Sequence, residues 1–349
     1  MPVAGKCGIV DSVLTSLTAK PDTAYIQDLR GLFGIQMSFF QKNSAFSIAD
    51  LLDLSSLNYA NSDSSMSTSI GINYKWLSLK MGFSFGLFDR NRSGRKFDFS
   101  TQMHMPAITL SFAGNLYNGY YLKNTYPMLQ GWAEGTRYER PDIRTNMLRV
   151  SADYYHNHTR YSRKALTSAG ELQRRTAGSF VAGIMFNRNV VSGDSSFIPT
   201  AVNDSLFNYH SSMRHVRNIF VGADAGYALT IVTPVKVFVN MQFSLGFAYD
   251  RNLFQVDAAS DRDFNSMNIF MQGIGNLGYN SDTWFLSISA NLFAIEHALG
   301  DEGASINSRN TLFQATLAYR IKLERDYGVG ELFKEKYKEW RARRKEQKG

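Results

Sequence analysis

The stretch "FDFSTQMH", residues 97–104, carries an acid, a hydroxyl and an imidazole, Asp98, Ser100 and His104. In an extended chain residues two and four apart share a face. An acid, a nucleophile and a base on one patch are the groups of a hydrolase. Same-face neighbours on one strand stand about 7 Å apart, however, too far for direct hydrogen bonds unless another strand supplies a member. Ordinary lining of an enclosed bore is the stronger reading, and the chain is expected not to be an enzyme. The other histidines add little: His156 and His158 bracket a turn, and neither they nor His210 and His215 have a carboxylate at a metal-ligating spacing. The glycines of "GADAG" (222–226) and "GIGNLG" (273–278) lie in strand context, where they serve close strand packing rather than phosphate binding. No catalytic residue, metal or cofactor is assigned.

The elements that would position such groups are strands. In "VKVFVNMQFSLGFAYD", 235–250, Val235, Val237, Val239, Met241, Phe243, Leu245, Phe247 and Tyr249 alternate with a face made mostly of Lys, Asn, Gln, Ser, Gly and Asp. Strict period-2 alternation of this length is a long strand with two unlike faces. The same grammar predicts strands at 66–76, 77–88, 97–105, 108–122, 217–231, 266–279, 284–293 and 311–323. Connectors near 76, 106, 233 and 281 are short. Those at 89–96, 123–142, 189–214, 251–263 and 298–308 are long and polar. For the alternation of short and long to hold, 144–157 and 176–188 must be strands joined by a helical or irregular inner turn, "RYSRKALTSAGELQRR" (160–175). By the same count 31–47 is one strand and 48–65 an outer loop, giving twelve. Short turns at one end and long loops at the other are the habit of transmembrane β-barrels.

Sidedness follows from the polar face. It is rich in Gly, Ser and Asn and poor in Lys and Glu, unlike a solvated exterior. The apolar faces run for ten or more residues almost without charge, and Tyr74, Trp76, Tyr279, Trp284 and Tyr319 gather beside the short turns, as at a membrane-water boundary. The apolar rows are therefore expected to face lipid. The bore would then receive Lys80, Asp98, His104, Arg149, Asp153, Asp224, Gln242, Asn268, Gln272 and Arg320, as a small polar channel or as a buried polar network.

Composition agrees with a barrel. The 349 residues are 44% hydrophobic, with no apolar run long enough for a spanning helix, and the single Cys7 forbids internal disulfides and Cys-based metal clusters. The start, "MPVAGKCGIVDSVLTSL", lacks the basic flank and apolar core of a secretory signal, so the true signal is expected upstream of this Met1. Of the formal charge of +8, residues 331–349 contribute half, with eight Lys/Arg against four Glu. Leu332, Phe333, Tyr337 and Trp340 fall near one helical face, so this end reads as a solvated or membrane-surface helix rather than a nucleic-acid binder. Arg160, Arg163, Lys164, Arg174 and Arg175 crowd the inner turn. With the tail they would form a basic inner rim for anionic head groups or an acidic periplasmic or envelope partner.

The strands carry "LNYAN" (57–61), "GINYKWLSL" (71–79), "FDFS" (97–100), "NGYYL" (118–122), "RYSRKALTSAGELQRRTAGSF" (160–180), "DSSFIP" (194–199) and "LGYN" (277–280). On these blocks the chain resembles an outer-membrane family of Bacteroidota catalogued as domain of unknown function 4421. It departs at Thr176, where the family favours serine. The resemblance implies an outer-membrane barrel in a Gram-negative cell and supplies no activity. The expectation is thus an all-β protein: an N-terminal periplasmic segment (1–28), a single transmembrane antiparallel barrel of about twelve strands (29–323) and a short basic helical tail (324–349). Its expected role is a narrow pore or small-solute conduit, with a scaffold or assembly partner as the alternative and a lipid-modifying barrel hydrolase as a weaker one.

Overall fold

Alternating side chains commit this chain to strands, and each strand has two neighbours available because its flanking segments carry the same pattern. The computed structural model describes residues 19–50, 55–61, 66–74, 77–83, 96–124, 129, 137–167, 170–202, 213–257, 260–298 and 304–322. The expectations for the basic tail (324–349), for Trp76 and for His210 lie outside the described residues.

The strands are β1 (Ile26–Asp28), β2 (Leu32–Asp50), β3 (Ser55–Asn61), β4 (Ser67–Tyr74), β5 (Leu77–Phe83), β6 (Lys96–His104), β7 (Ile108–Leu122) and β8 (Tyr138–Tyr155). After the single turn of helix α1 (Lys164–Thr167) come β9 (Glu171–Gln173), β10 (Ala177–Ser192), β11 (His215–Val232), β12 (Val237–Asp257), β13 (Ser260–Asn280), β14 (Trp284–Ala298) and β15 (Ala304–Lys322). All pairings are antiparallel. Twelve strands follow one another in a ring, β2-β4-β5-β6-β7-β8-β10-β11-β12-β13-β14-β15, and β15 pairs back to β2 from Ala304↔Asp50 to Lys322↔Leu32. The protein is an all-β antiparallel sheet ring.

Burial divides the long strands of the ring by parity. On β12 the exposed members are Met241, Phe243, Leu245, Phe247 (65%) and Tyr249, whereas Asn240 and Asp250 are fully buried and Ser244 is 1% exposed. The apolar rows point out of the ring and the polar rows point into it. Outward charges, among them Arg144, Arg188, Arg217, Arg251, Asp263, Glu296 and Arg309, lie toward the long-loop end. At the short-turn end Tyr279, Trp284 and Tyr319 are exposed, the last two rings 4.7 Å apart.

Parts of the expected outer loops are strand instead. Within 48–65, residues 55–61 form β3, which wedges between the outer ends of β2 and β7. The hairpin of β12 and β13 carries its ladder on to Asp257↔Ser260, through the segment expected as a loop at 251–263. Polar side chains occur on both faces of that segment, which sequence periodicity scores as loop, yet the backbone ladder continues and Arg251 pairs with Asp263 at 2.6 Å. Likewise β15 starts at Ala304, inside the expected loop 298–308.

Two glycines have local jobs. Between Asn118 and Tyr120 the β7–β8 register shifts, and Gly119 supplies the left-handed backbone (φ 87°) of that bulge. The extra residue swaps parity, so that Tyr117 below the bulge and Tyr120 and Leu122 above it all point inward. At Gly226 a Cβ would sit 2.0 Å from the carbonyl oxygen of Phe243, a backbone atom that cannot yield.

Candidate functional site

The bore is filled in three layers. At the long-loop end Phe46, Ile48, Tyr59, Tyr120, Phe197, Ile198, Val202 and Phe254 belong to one buried apolar cluster. Tyr59 donates its hydroxyl to the carbonyl of Phe197. Arg140 holds the same loop, donating to the Ser196 carbonyl at 2.7 Å and to both Asp142 oxygens at 2.8 Å. That hydrogen-bonded guanidinium keeps the Asp142 carboxyl below its ordinary 3.8. A carboxyl lowered on folding contributes stability above the ordinary value and loses it as pH falls through the lowered one. Residues 193–202 should therefore resist pepsin above about pH 4 and become cleavable as the pH is taken lower; Arg140→Ala should make the same segment protease-sensitive at neutral pH.

Across the middle, Met185, Phe220, Phe270, Phe293 and Ile295 pack together, and Arg149 lies 3.8 Å over the Phe293 ring. Asp153 and Asp224 face Gly183 from the two strands beside it, and Gln272 donates to Asp224 at 3.2 Å.

The short-turn end is closed by the chain itself. Residues 156–167 and 170–176 fold back into the ring, where Tyr161 and Leu166 join Tyr155, Phe238 and Phe285 in a third buried cluster. Tyr155 and Tyr161 stack at 5.4 Å, Asn240 donates to the Tyr161 hydroxyl at 3.2 Å, and Asn280 donates to the carbonyls of Ala165 and Glu171. β9 pairs with β1, so residues 26–28 lie against this plug. Burial pushes the Lys164 ammonium down to about 8 while neighbouring Glu171 opposes the shift.

Between this plug and the wall lies a polar cavity of about 210 Å³. Its lining includes Gln36, Ser78, Lys80, Ser100, Gln102, Arg163, Asn276, Ser287, Ser289, Asn291, Gln314 and Thr316, with no carboxylate among the described residues. A smaller cavity of about 30 Å³ nearer the short-turn end is lined by Arg30, His104, His158, Lys164, Glu171 and, again, Arg163.

The residues singled out by sequence fall as follows. Lys80 donates to Gln314 at 2.7 Å. Asp98 accepts from Lys42 at 2.8 Å and Tyr117 at 2.6 Å. His104 is buried with Nδ1 3.2 Å from Thr109, and Gln242 is 3.5 Å from the Tyr155 hydroxyl. Asn268 donates to Asp250 at 2.6 Å, and Arg320 donates to Asn280 at 2.8 Å. Lys80 and Ser100 are register partners across β5 and β6, but no hydrogen bond joins Ser100 to Lys80 or to His104 among the described residues. The acid, hydroxyl and imidazole of β6 thus serve separate contacts.

The expected basic rim divides. Arg160, Arg174 and Arg175 are exposed, whereas Lys164 is buried and Arg163 turns into the bore. The plug's tyrosine and leucine carry their basic neighbours inward with them. The exposed three are already engaged by the chain's own N-terminal side: Arg160 and Arg175 lie over the Tyr25 ring, and Arg174 bonds Gln27 at 2.9 Å. Sequence reasoning missed Asp250 and His297, both buried and 2.5 Å apart, and the aromatic residues on the inward face. A legible signal existed, since Phe220, Phe238, Phe270, Phe285 and Phe293 stand at inward parity in otherwise polar rows.

This geometry defines an all-β ring with a solute-sized polar cavity and blocked ends. The chain belongs to the family described as domain of unknown function (DUF4421), which it matches over residues 20–321. No curated protein matches it. Among solved structures it is similar to the outer membrane protease OmpT from Escherichia coli, with 11% identity over 84% of this chain and 98% of that one and a TM-score of 0.39. It is also similar to Neisserial surface protein A, with 9% identity, 85% and 99% coverage and a TM-score of 0.26. The Pseudomonas putida toluene transporter TodX is a further likeness, with 9% identity, 88% and 93% coverage and a TM-score of 0.26.

Proposed function

We propose that the chain is a non-enzymatic outer-membrane β-barrel of a Gram-negative envelope, a small-solute conduit that holds its solute in the bore and is shut at both ends in this conformation. The observation that carries the reading is the exposed apolar belt. Outward-facing apolar residues such as Ile184, Phe243, Phe247, Ile269 and Ile288 are more than half exposed, an unsustainable surface in water. On β12 the outward row is uncharged from Val237 to Tyr249, about 40 Å of strand, or about 30 Å of height at a tilt near 40°. That height suffices to cross a hydrocarbon core, and aromatic residues at one edge with charges at the other suit its two interfaces. The bore, by contrast, is polar in the middle, as lumens are.

The test is a charge placed on the belt. Phe243→Arg, at the middle of that row, should in lipid vesicles cost roughly 2–4 kcal/mol of folding stability, the penalty for arginine near a bilayer midplane. Asn265→Arg, beyond the belt, should cost little. Equal tolerance of both, or recovery of the native chain in the soluble fraction without detergent, would refute the membrane assignment.

A further inference from the structure

We infer that the 210 Å³ cavity binds a small oxyanion, an inorganic phosphate or phosphate monoester, between Lys80 and Arg163. The inference rests on the reading of the bore as solute-holding and names the class of solute.

Two cations from different parts of the chain, one on β5 and one on the plug, converge on this space, and neither forms an ion pair among the described residues. The hydrogen-bond acceptor of the Lys80 ammonium is the neutral Oε1 of Gln314 at 2.7 Å. Asp98, within electrostatic reach of Lys80, is held instead by Lys42 and the Tyr117 hydroxyl. The Arg163 Nη1 is buried with no hydrogen-bond partner. Asp153 faces Arg163 electrostatically but forms no ion pair with it among the described residues.

Burying a charge without a counter-charge is expensive, and buried charges in proteins are paired or neutralised. Two such charges around one cavity, with no carboxylate on its lining among the described residues, leave the anion to be supplied from outside. The rest of the wall suits an oxyanion: Ser100, Ser289 and Thr316 offer hydroxyl donors, and a guanidinium presents the forked donor pair that matches phosphate oxygens. An uncharged sugar would satisfy the hydroxyls and leave both cations uncompensated. Arg163 also lines the smaller inner cavity, where Arg30 and Lys164 stand with Glu171.

The test uses the full chain folded in detergent, with folding verified by heat-modifiable gel mobility and binding read by titration calorimetry. Inorganic phosphate should bind saturably and raise Tm, while glucose should do neither. Lys80→Gln and Arg163→Gln should each weaken phosphate about tenfold to a hundredfold, the range of a hydrogen bond to a charged group. Arg174→Gln, exposed and outside the cavity, should leave it unchanged. Phosphate binding that ignores both cavity substitutions would overturn the inference. Saturable glucose binding without phosphate binding would overturn it and leave the solute-holding reading standing; binding of neither probe would remove both. Should the cavity variants fail to fold, the comparison of phosphate with glucose on the native chain decides.

Discussion

A cysteine placed at Ser289, in a Cys7→Ser background, should react slowly with a water-soluble thiol reagent in the native barrel and fast once residues 157–176 are replaced by a short turn. The expected acceleration is on the order of a hundredfold or more, the protection that a local opening costing a few kcal/mol confers. Ser289 lines the central cavity, whose inner wall includes Arg163, Leu166 and Thr167 of the plug. The plug is held by Leu166 against Phe238 and Phe285 and by the hydrogen bonds from Asn240 and Asn280. Its excision is topologically simple, because β8 and β10 are adjacent antiparallel strands with Tyr155 beside Val181, and such neighbours need only a tight turn. Planar-bilayer conductance should nonetheless stay at baseline in that variant, because the apolar cluster around Tyr59, Phe197 and Phe254 still seals the other end. Discrete conductance steps should appear only when the Phe197–Val202 loop is removed as well. Steady conductance from the native chain would show the bore open and the two-plug description wrong. Unchanged labelling after excision would show that the plug does not control access.

What could be read from the sequence and what could not have a common physical origin. Where one face meets apolar surroundings and the other polar ones, alternation is forced, and β12 or β14 is legible by eye. Outside the belt that contrast vanishes: polar side chains occur on both faces of 251–257 and 260–266, so the ladder that continues there leaves no period in the sequence. The plug was hidden for another reason. Arg163 and Lys164 are residues whose default is solvent, and only the contacts of Tyr161 and Leu166, in one cluster with residues as remote in the chain as Phe285 and Ala318, carry them inside. The wedge strand β3 likewise depends on a distant partner, Tyr120 to Leu122, besides its local hairpin with Ala45 to Asp50. The polar bore residues were legible one by one, but the union of Lys80 with Arg163 around one cavity requires the plug and was not.

Asp250→Ala should destabilise the barrel by about 3–5 kcal/mol, the cost of removing one partner of a buried pair. Asp250 and His297 are 0% and 1% exposed, with Nδ1 2.5 Å from the carboxylate, and Asn268 donates to the same oxygen at 2.6 Å. The three residues come from β12, β14 and β13, so one carboxylate ties three neighbouring strands together from inside. Alanine leaves the buried His297 Nδ1, packed 6.1 Å from the Phe220 ring, without its acceptor, and takes from the Asn268 amide one of two acceptors, the other being the Ser266 hydroxyl at 2.7 Å. Asp250→Asn keeps one acceptor oxygen and should cost less than half as much. In urea unfolding from detergent micelles, the midpoint should drop with the slope unchanged. A double-mutant cycle with His297→Leu should recover part of the loss, because that change removes the group left unpaired. A loss below about 1 kcal/mol for Asp250→Ala, the worth of an ordinary hydrogen bond, would mean that the cavity admits water to these groups and that the long-loop end of the bore is wetter than its packing implies.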